Sequence, residues 1–263
     1  MRQPDRLLAR QHLFMRTVDA APVRFVRPSD TDRETWVAYD GPHYLGTVHG
    51  QFDTDGHWHI QSLHEDYLKL DDAVRAMRRP ATWTADRERV RRWARDILND
   101  RRLLVVDIQT TGLGAAWAVQ IGITDRDGNA LFNELVNPLC DITTAAVTRH
   151  GLSPDRLATA PTFGVIMPDL AHLLDGRLCL AYNARFDKGV LERETHRLPK
   201  TVRGTWGTRT PACWKDAMAP YAAWKGLWST RHGTYRYQPL GSAYDAITNC
   251  RRLLVTMHRM CTG

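Results

Sequence analysis

Long apolar runs, internal repeats and low-complexity tracts are all missing from this 263-residue sequence. No apolar stretch approaches the roughly 18 residues that cross a bilayer, so we expect no membrane association. No apolar core follows Met1 in the way that marks a secretory signal. For the Arg-rich residues 1–16, a basic helical lead-in is preferred to a transit peptide.

Cysteine is scarce and scattered. The five cysteines form no CxxC pair, and an odd number without short spacing argues against a disulfide framework or a zinc ribbon. A reducing cytoplasm is therefore the predicted compartment.

Acidic residues are nearly absent from the end of the chain. Residues 193–263 hold 12 Lys/Arg and 3 Asp/Glu, whereas residues 1–100 hold 16 of each, and the whole chain carries a net charge of +7. This asymmetry indicates a surface that faces a polyanion such as nucleic acid. Charge that serves only solubility would give the same composition.

Turn residues divide the N-terminal part of the chain into short segments. Three strand patterns and one helical pattern follow one another there, at residues 36–39, 44–48, 57–60 and 71–79. They predict a small β+α module over residues 1–82. A charged amphipathic pattern predicts a connector helix over 83–100, before a further domain over 101–263.

The further domain opens with an apolar run typical of a buried strand, at residues 103–108. Additional strands are predicted at 118–124, 130–136 and 177–182, and helices at 143–150, 163–174, 186–196 and 246–260. Antiparallel strands followed by alternating helices and strands predict an α/β domain, with a mixed sheet flanked by helices.

Polar side chains follow two of these strands. Asp107 and Gln109 end the first strand two residues apart, so their side chains share one face of the sheet. Eighty residues after Asp107, Asp187 opens a helix directly after another buried strand. A carboxylate at a helix start is also a common cap, so the local pattern fits either role.

Three segments carry a resemblance to a known family: D-I-Q-T-T-G-L at 107–113, H-G-L at 150–152 and N-A-R-F-D at 183–187. In order and spacing they resemble the motifs of the DEDD-type 3′–5′ exonucleases, which include ribonuclease T, oligoribonuclease and the epsilon subunit of DNA polymerase III. The family's third motif, H-x-A-x-x-D, aligns with Tyr244, Ala246 and Asn249. The resemblance implies the ribonuclease-H-like exonuclease fold over about residues 101–260.

The resemblance implies a catalytic set in which charge has been lost. The family's four carboxylates and its general base correspond to Asp107, Gln109, Asp187, Asn249 and Tyr244. Four carboxylates would offset two divalent ions, whereas two supply half of that charge. One Mg²⁺ or Mn²⁺ ion on Asp107 and Asp187 is therefore implied. A tyrosine of ordinary pKa, about 10, is a poor base at neutral pH.

We therefore expect a degenerate site, in a pseudoenzyme that binds single-stranded nucleic acid or 3′ ends and whose cleavage is absent or strongly reduced. Two rivals stay open. An active exonuclease would use Asp245 in place of Asn249 as a metal ligand, and His232 or Tyr244 to position the water. A protein-interaction scaffold would bind no nucleic acid.

The resemblance also implies contacts with the terminal nucleotide. The corresponding residues lie in the first two motifs: Thr110, Thr111, Gly112, Leu113, Asn183 and Arg185. Holding the turn is an equal alternative for Thr111, and a solvated surface position for Arg185. Aromatic and basic residues alternate over 214–237, as in a strand-stacking wall, although core packing is preferred for most of these aromatics. The sequence does not choose between DNA and RNA, and a homodimer, as in ribonuclease T and oligoribonuclease, is the candidate assembly.

Overall fold

The computed structural model describes residues 11–29, 34–51, 56–203, 212–229, 232–241 and 245–262. They belong to two compact units. The first unit comprises Met1–Ala85 and Lys225–Arg236, and the second comprises Asp86–Trp224 and Tyr237–Gly263. The N-terminal module thus extends to residue 85 rather than 82, and it includes a later segment, 225–236, that sequence analysis assigned to the further domain.

The first unit contains an antiparallel sheet whose strands follow chain order. The strands are β1 (Leu13–Val18), β2 (Ala21–Val26), β3 (Thr35–Asp40), β4 (His43–Gln51), β5 (His57–Ile60) and β6 (Glu65–Tyr67). Helix α1 (Leu70–Met77) shares a core with this sheet, in which Phe25, Trp36 and Trp58 are fully buried.

Sequence analysis predicted β3, β4, β5 and α1 but missed β1, β2 and β6. Asp19 and Ala20 form the turn between β1 and β2 with φ of 52° and 60°, and Ala20 takes the position where Gly usually marks such a turn. The helical lead-in is wrong for residues 13–16, which lie in β1. Phe14 and Val18 are both buried, and a spacing of four fits a helix as well as a strand. Residues 1–10 lie outside the described residues.

The second unit contains a five-stranded sheet with the order β11-β10-β7-β8-β9. Its strands are β7 (Leu103–Thr110), β8 (Ala118–Asp125), β9 (Ala130–Leu135), β10 (Leu178–Ala181) and β11 (Cys213–Asp216). The strands β7, β8 and β9 are antiparallel neighbours, whereas β10 runs parallel to both β7 and β11. This mixed sheet confirms the predicted fold class. The strand β11, which contains Trp214, was missed.

Five helices lie at the predicted places in the described residues, and three further helices accompany them. They are α2 (Trp83–Asn99), α3 (Thr144–His150), α4 (Pro154–Ala158), α5 (Phe163–Leu174), α6 (Ala184–Arg197), α7 (Lys200–Arg203), α8 (Met218–Lys225) and α9 (Ala246–Thr262). The strands β12 (Trp228–Ser229) and β13 (Thr234–Tyr235) form a short hairpin of the first unit. No helix in the described part of the chain has the length and apolar character needed to cross a membrane.

The predicted connector helix belongs to the core of the second unit. Val90, Ala94 and Ile97 of α2 are buried in the same apolar cluster as Leu253 and Met257 of α9. The amphipathic pattern was therefore interpreted correctly as a packed stripe, and its partner is the closing helix of the chain.

The helix α9 also packs across β7 and β8, and a glycine permits its close approach. A Cβ atom on Gly122 of β8 would lie 2.7 Å from the Cβ atom of Ala246 and 2.9 Å from the Ala246 carbonyl carbon. Real Cβ atoms do not approach that closely. The position of the start of α9 therefore depends on the missing side chain at Gly122.

We expect Gly122→Ala to destabilise the second unit by about 1–3 kcal/mol, because the added methyl group overpacks the contact with α9. The matched control is Gly189→Ala inside α6, where the nearest atom is the flexible Arg193 guanidinium at 3.4 Å. That control should gain roughly 0.5–1 kcal/mol from helix propensity. Denaturant unfolding of both variants checks the opposite signs, and equal effects would contradict the close packing of β8 on α9.

Candidate functional site

Two buried carboxyl groups meet where β7 and α6 come together. Asp107 lies within β7, and Asp187 lies in the first turn of α6. Asp187 Oδ1 accepts a hydrogen bond of 3.0 Å from the backbone N–H of Ile108, the residue after Asp107. The strand β10 pairs with β7 only as far as Val105, so the Asp187 carboxyl takes the place of a strand partner at Ile108.

Burial has a large effect on both carboxyl groups. Removal from water, together with a smaller effect of the neighbouring Asp245 charge, raises the pKa of Asp107 to about 6. Burial also raises the pKa of Asp187 well above its usual range, and the charge of Asp107 adds to this effect. None of the described groups that shift these two pKa values is a cation. The pair therefore resists full ionisation, because no cation among these groups offsets its charge.

Two amide side chains make hydrogen bonds to the same oxygen of Asp107. Gln109 Nε2 donates to Asp107 Oδ2 at 2.7 Å, and Asn249 Nδ2 donates to it at 3.2 Å. Both bonds favour the ionised form and oppose the effect of burial on the Asp107 pKa. The structure thus brings together four of the five residues that sequence analysis assigned to catalysis. The fifth, Tyr244, lies outside the described residues.

Asp245, the candidate substitute ligand, caps α9. Its Oδ2 accepts hydrogen bonds of 2.8 Å from the backbone N–H and the hydroxyl of Thr248, and its Oδ1 accepts one of 2.9 Å from Gln120 Nε2. Burial opposes ionisation, but these hydrogen bonds lower the pKa of Asp245 below its usual range. His232, the candidate substitute base, is exposed in the turn between β12 and β13 of the first unit, and its role stays a prediction.

Hydrogen bonds of two threonine side chains stabilise the turn after β7. Thr110 Oγ1 donates to the Gly112 carbonyl oxygen at 2.8 Å, and Thr111 Oγ1 accepts from the Trp117 N–H at 3.1 Å. Thr111 is buried, which agrees with the turn-holding alternative, whereas Leu113 is 86% exposed at the turn. Among the turn residues of the predicted contact set, Leu113 is therefore the most accessible.

The second motif lies at the start of α6. Asn183 occupies the N-cap position without a side-chain capping bond, and Arg185 is exposed in the first turn. Sequence analysis missed Asp216, at the end of β11. Asp216 Oδ2 accepts from the Ala184 N–H at 2.9 Å, and its Oδ1 accepts from the Met218 N–H at 2.9 Å. An aspartate two residues before a helix start was the available signal, since such residues commonly cap helices.

The donor set fits one divalent cation better than two. Two buried carboxyl groups without a cationic partner would gain from a hard cation, and amide oxygens are neutral ligands of the same type. Asp107 and Asp187 would hold that ion, and it would supply Lewis-acid activation of a phosphodiester. In the described part of the chain, no three Asp, Glu, His or Cys side chains come together as a metal-binding group.

The mixed sheet and the carboxyl pair at the strand–helix junction define an α/β protein of the ribonuclease-H-like type. Residues 104–216, from β7 to β11, match the family model described as exonuclease. This part of the chain is therefore similar to the exonuclease family, in agreement with the resemblance found in its motifs.

Individual proteins show how far this similarity extends. The chain is 27% identical over 191 residues to an uncharacterised exonuclease of Escherichia phage 186, which covers 67% of this chain and 94% of that protein. It is also 27% identical over 116 residues to the DNA polymerase III epsilon subunit of Buchnera aphidicola. The aligned region covers 40% of this chain and only half of that protein. Among solved structures, it is similar to E. coli exonuclease I in complex with a dT13 oligonucleotide. That similarity has 16% identity and a TM-score of 0.48, and it covers 61% of this chain and 41% of the other.

We expect Asp107→Asn to stabilise the metal-free protein above about pH 7. The pKa of Asp107 is about 6 in the folded protein and about 3.9 in an unfolded chain, so the folded state binds this proton more tightly. Stability is therefore lost as the pH rises from about 4 to about 6 and the buried carboxyl ionises. A difference of about two pKa units corresponds to about 3 kcal/mol.

The gain from Asp107→Asn should be present at about pH 8 and absent at about pH 4, as measured by urea unfolding in EDTA. The control is Asp127→Asn in the exposed turn between β8 and β9, where we expect little change at either pH. A stabilisation by Asp107→Asn that does not vary with pH would show that burial does not raise this pKa.

Proposed function

We propose that this protein is an exonuclease-family nucleic-acid binder whose metal site is degenerate, so that it holds single strands or 3′ ends and cleaves them slowly or not at all. One observation carries the proposal. The two amide nitrogens of Gln109 and Asn249 donate to Asp107, at positions that correspond to carboxylates in the related family.

Charge is the physical reason for weak catalysis. Two divalent ions require anionic ligands to offset their mutual repulsion, whereas Asp107 and Asp187 are joined by no third carboxylate in a metal-binding group of the described residues. Mg²⁺ gives up its water reluctantly and depends on carboxylates and substrate phosphates. One Mg²⁺ or Mn²⁺ ion that binds weakly, or together with a strand, is the proposed cofactor state.

The general base is the second weakness. Tyr244 corresponds to the family's histidine, and an ordinary tyrosine, with a pKa of about 10, does not accept a proton readily at neutral pH. A positioned general base contributes about 10²–10⁴-fold to rate. Loss of that base and of two charged ligands supports a pseudoenzyme rather than an efficient nuclease.

Binding features remain beside the weakened site. The turn at Thr110–Leu113 and the exposed side chain of Arg185 are the proposed contacts with the terminal nucleotide and its phosphate. The names of the relatives, an exonuclease and a DNA polymerase subunit, favour DNA over RNA. Five free thiols agree with the proposed cytoplasmic location, and a homodimer is the proposed assembly.

The test is an end-labelled single-stranded oligonucleotide incubated with Mg²⁺ or Mn²⁺. We expect the protein to bind the strand with an affinity that falls as salt rises, because phosphate contacts release counterions. We expect trimming to be absent, or at least about 10²-fold slower than in a triple variant that carries Gln109→Glu, Tyr244→His and Asn249→Asp. A DNA strand and an RNA strand of the same sequence, run in parallel, identify the substrate class.

The controls separate the rival functions. Asp107→Ala in the triple variant should abolish its trimming. If the unaltered protein trims 3′ ends and Asp107→Ala stops it, the protein is an active exonuclease and the degeneracy proposal is wrong. If no oligonucleotide binds at any salt concentration, the protein-interaction scaffold is the correct interpretation.

A further inference from the structure

Three charged side chains in the second half of α6 contact three consecutive residues, Ala116, Trp117 and Ala118. These residues connect the turn after β7 with β8 and had no assigned role. The contacting side chains are Arg193, Glu194 and Arg197. Sequence analysis did not single them out, because charged residues on a helix usually form a solvated face.

Glu194 is the centre of this arrangement. It is fully buried, its Oε1 accepts a hydrogen bond of 2.9 Å from the Ala118 N–H, and its Oε2 lies 2.8 Å from Arg197 Nη2. A buried charge is costly unless it is paired and hydrogen-bonded. Burial raises the pKa of Glu194, and the Ala118 amide and the Arg197 charge oppose that rise.

The two arginines fix the neighbouring residues. The Arg197 guanidinium lies 4.4 Å from the centre of the Trp117 ring, and its Nη1 donates to the Pro138 carbonyl oxygen at 2.8 Å. Arg193 Nη2 donates to the Ala116 carbonyl oxygen at 3.1 Å. Every residue from 116 to 118 is therefore attached to α6 by a charged side chain.

These attachments reach the turn itself. The Thr111 N–H donates to the Trp117 carbonyl oxygen at 2.9 Å, and Trp117 donates its own N–H to Thr111 Oγ1. Residues 111–117 thus form a closed loop whose base is held on α6. The same helix carries Asp187 seven residues before Glu194, about 10 Å along its axis.

We propose that Glu194 and Arg197 are a positioning pair that sets the 111–117 loop against Asp187, so that the loop is preorganised to receive the end of a nucleic-acid strand. The ligand in this statement rests on the proposed function. A loop that is already in its bound arrangement loses less conformational freedom when it binds. Cutting the ion pair should therefore leave the fold intact and weaken strand-end binding.

The first variant is Glu194→Gln, which keeps an oxygen for the Ala118 N–H and removes the charge that pairs with Arg197. The matched control is Glu192→Gln on the same helix, an exposed carboxylate that lies 3.6 Å from Lys188. The second variant is Arg197→Lys, which keeps the positive charge and loses the planar contact with the Trp117 ring.

Loop position is measured without any ligand. The protein is labelled with 5-fluorotryptophan, and the Trp117 ¹⁹F signal is assigned through Trp117→Phe. We expect Glu194→Gln and Arg197→Lys to shift or broaden this signal and to speed hydrogen exchange in the peptide that spans 110–118. Glu192→Gln should change neither. An unchanged signal and unchanged exchange in both folded variants would overturn the proposal.

Strand-end binding is measured with one oligonucleotide that carries either a 3′-hydroxyl or a 3′-phosphate. We expect the two variants to weaken binding of the 3′-hydroxyl strand by about 3- to 30-fold and to leave the blocked strand unaffected. The double variant should weaken binding by less than the product of the two single effects, because both substitutions release the same loop. Equal weakening for both strands would assign the pair a merely structural role. If the unaltered protein binds neither strand, the proposed function fails, and the fluorine and exchange results still decide whether the pair positions the loop.

Discussion

The hydrogen bond between the Ile108 amide and the Asp187 carboxyl is the contact on which the candidate site depends. It exists because the pairing of β10 with β7 ends at Val105, so the Ile108 amide has no partner in β10. The helix that follows β10 then supplies a side chain where the next strand residue would have been. One unpaired amide thus brings two carboxyl groups from positions eighty residues apart into a common site.

Burial of these two carboxyl groups sets the chemistry of the site. Each raises the cost of ionising the other, and the nearest compensation comes from amide N–H groups rather than from a cation. Neutral donors satisfy an ionised carboxylate without adding negative charge around it. In the absence of metal, such a site has less electrostatic repulsion than a cluster of four carboxylates, and it attracts divalent ions less strongly.

The helix α6 has two tasks that a single rigid element can perform together. Its first turn carries Asp187, and its second half holds the loop after β7 through Glu194 and the flanking arginines. Since a helix keeps its two ends at a constant distance, the loop and the carboxyl pair cannot move independently. Preorganisation of this kind serves a binding protein as well as an enzyme.

Local sequence pattern was enough for the fold class, and the family resemblance supplied most of the site. The apolar run at 103–108 and the helical spacings predicted the mixed sheet, whereas the resemblance implied that Asp107, Gln109, Asp187 and Asn249 lie together. Periodicity and turn residues report which side of an element is buried, and these elements are long or regular enough to be recognised.

The remaining features depend on contacts with residues far away in the chain, and local sequence pattern carries no information about such contacts. The strands β1 and β2 were not predicted, because local pattern did not reveal the turn with positive φ at Asp19 and Ala20. The segment 225–236 belongs to the first unit through contacts with residues far away in the chain. Three acidic residues that look alike in the sequence have different roles in the structure. Asp245 caps a helix, Asp216 joins a strand to two helix starts, and Glu194 pairs with an arginine beneath a loop. The role of an acidic side chain is set by the hydrogen-bond donors around it, and those donors come together when the chain folds.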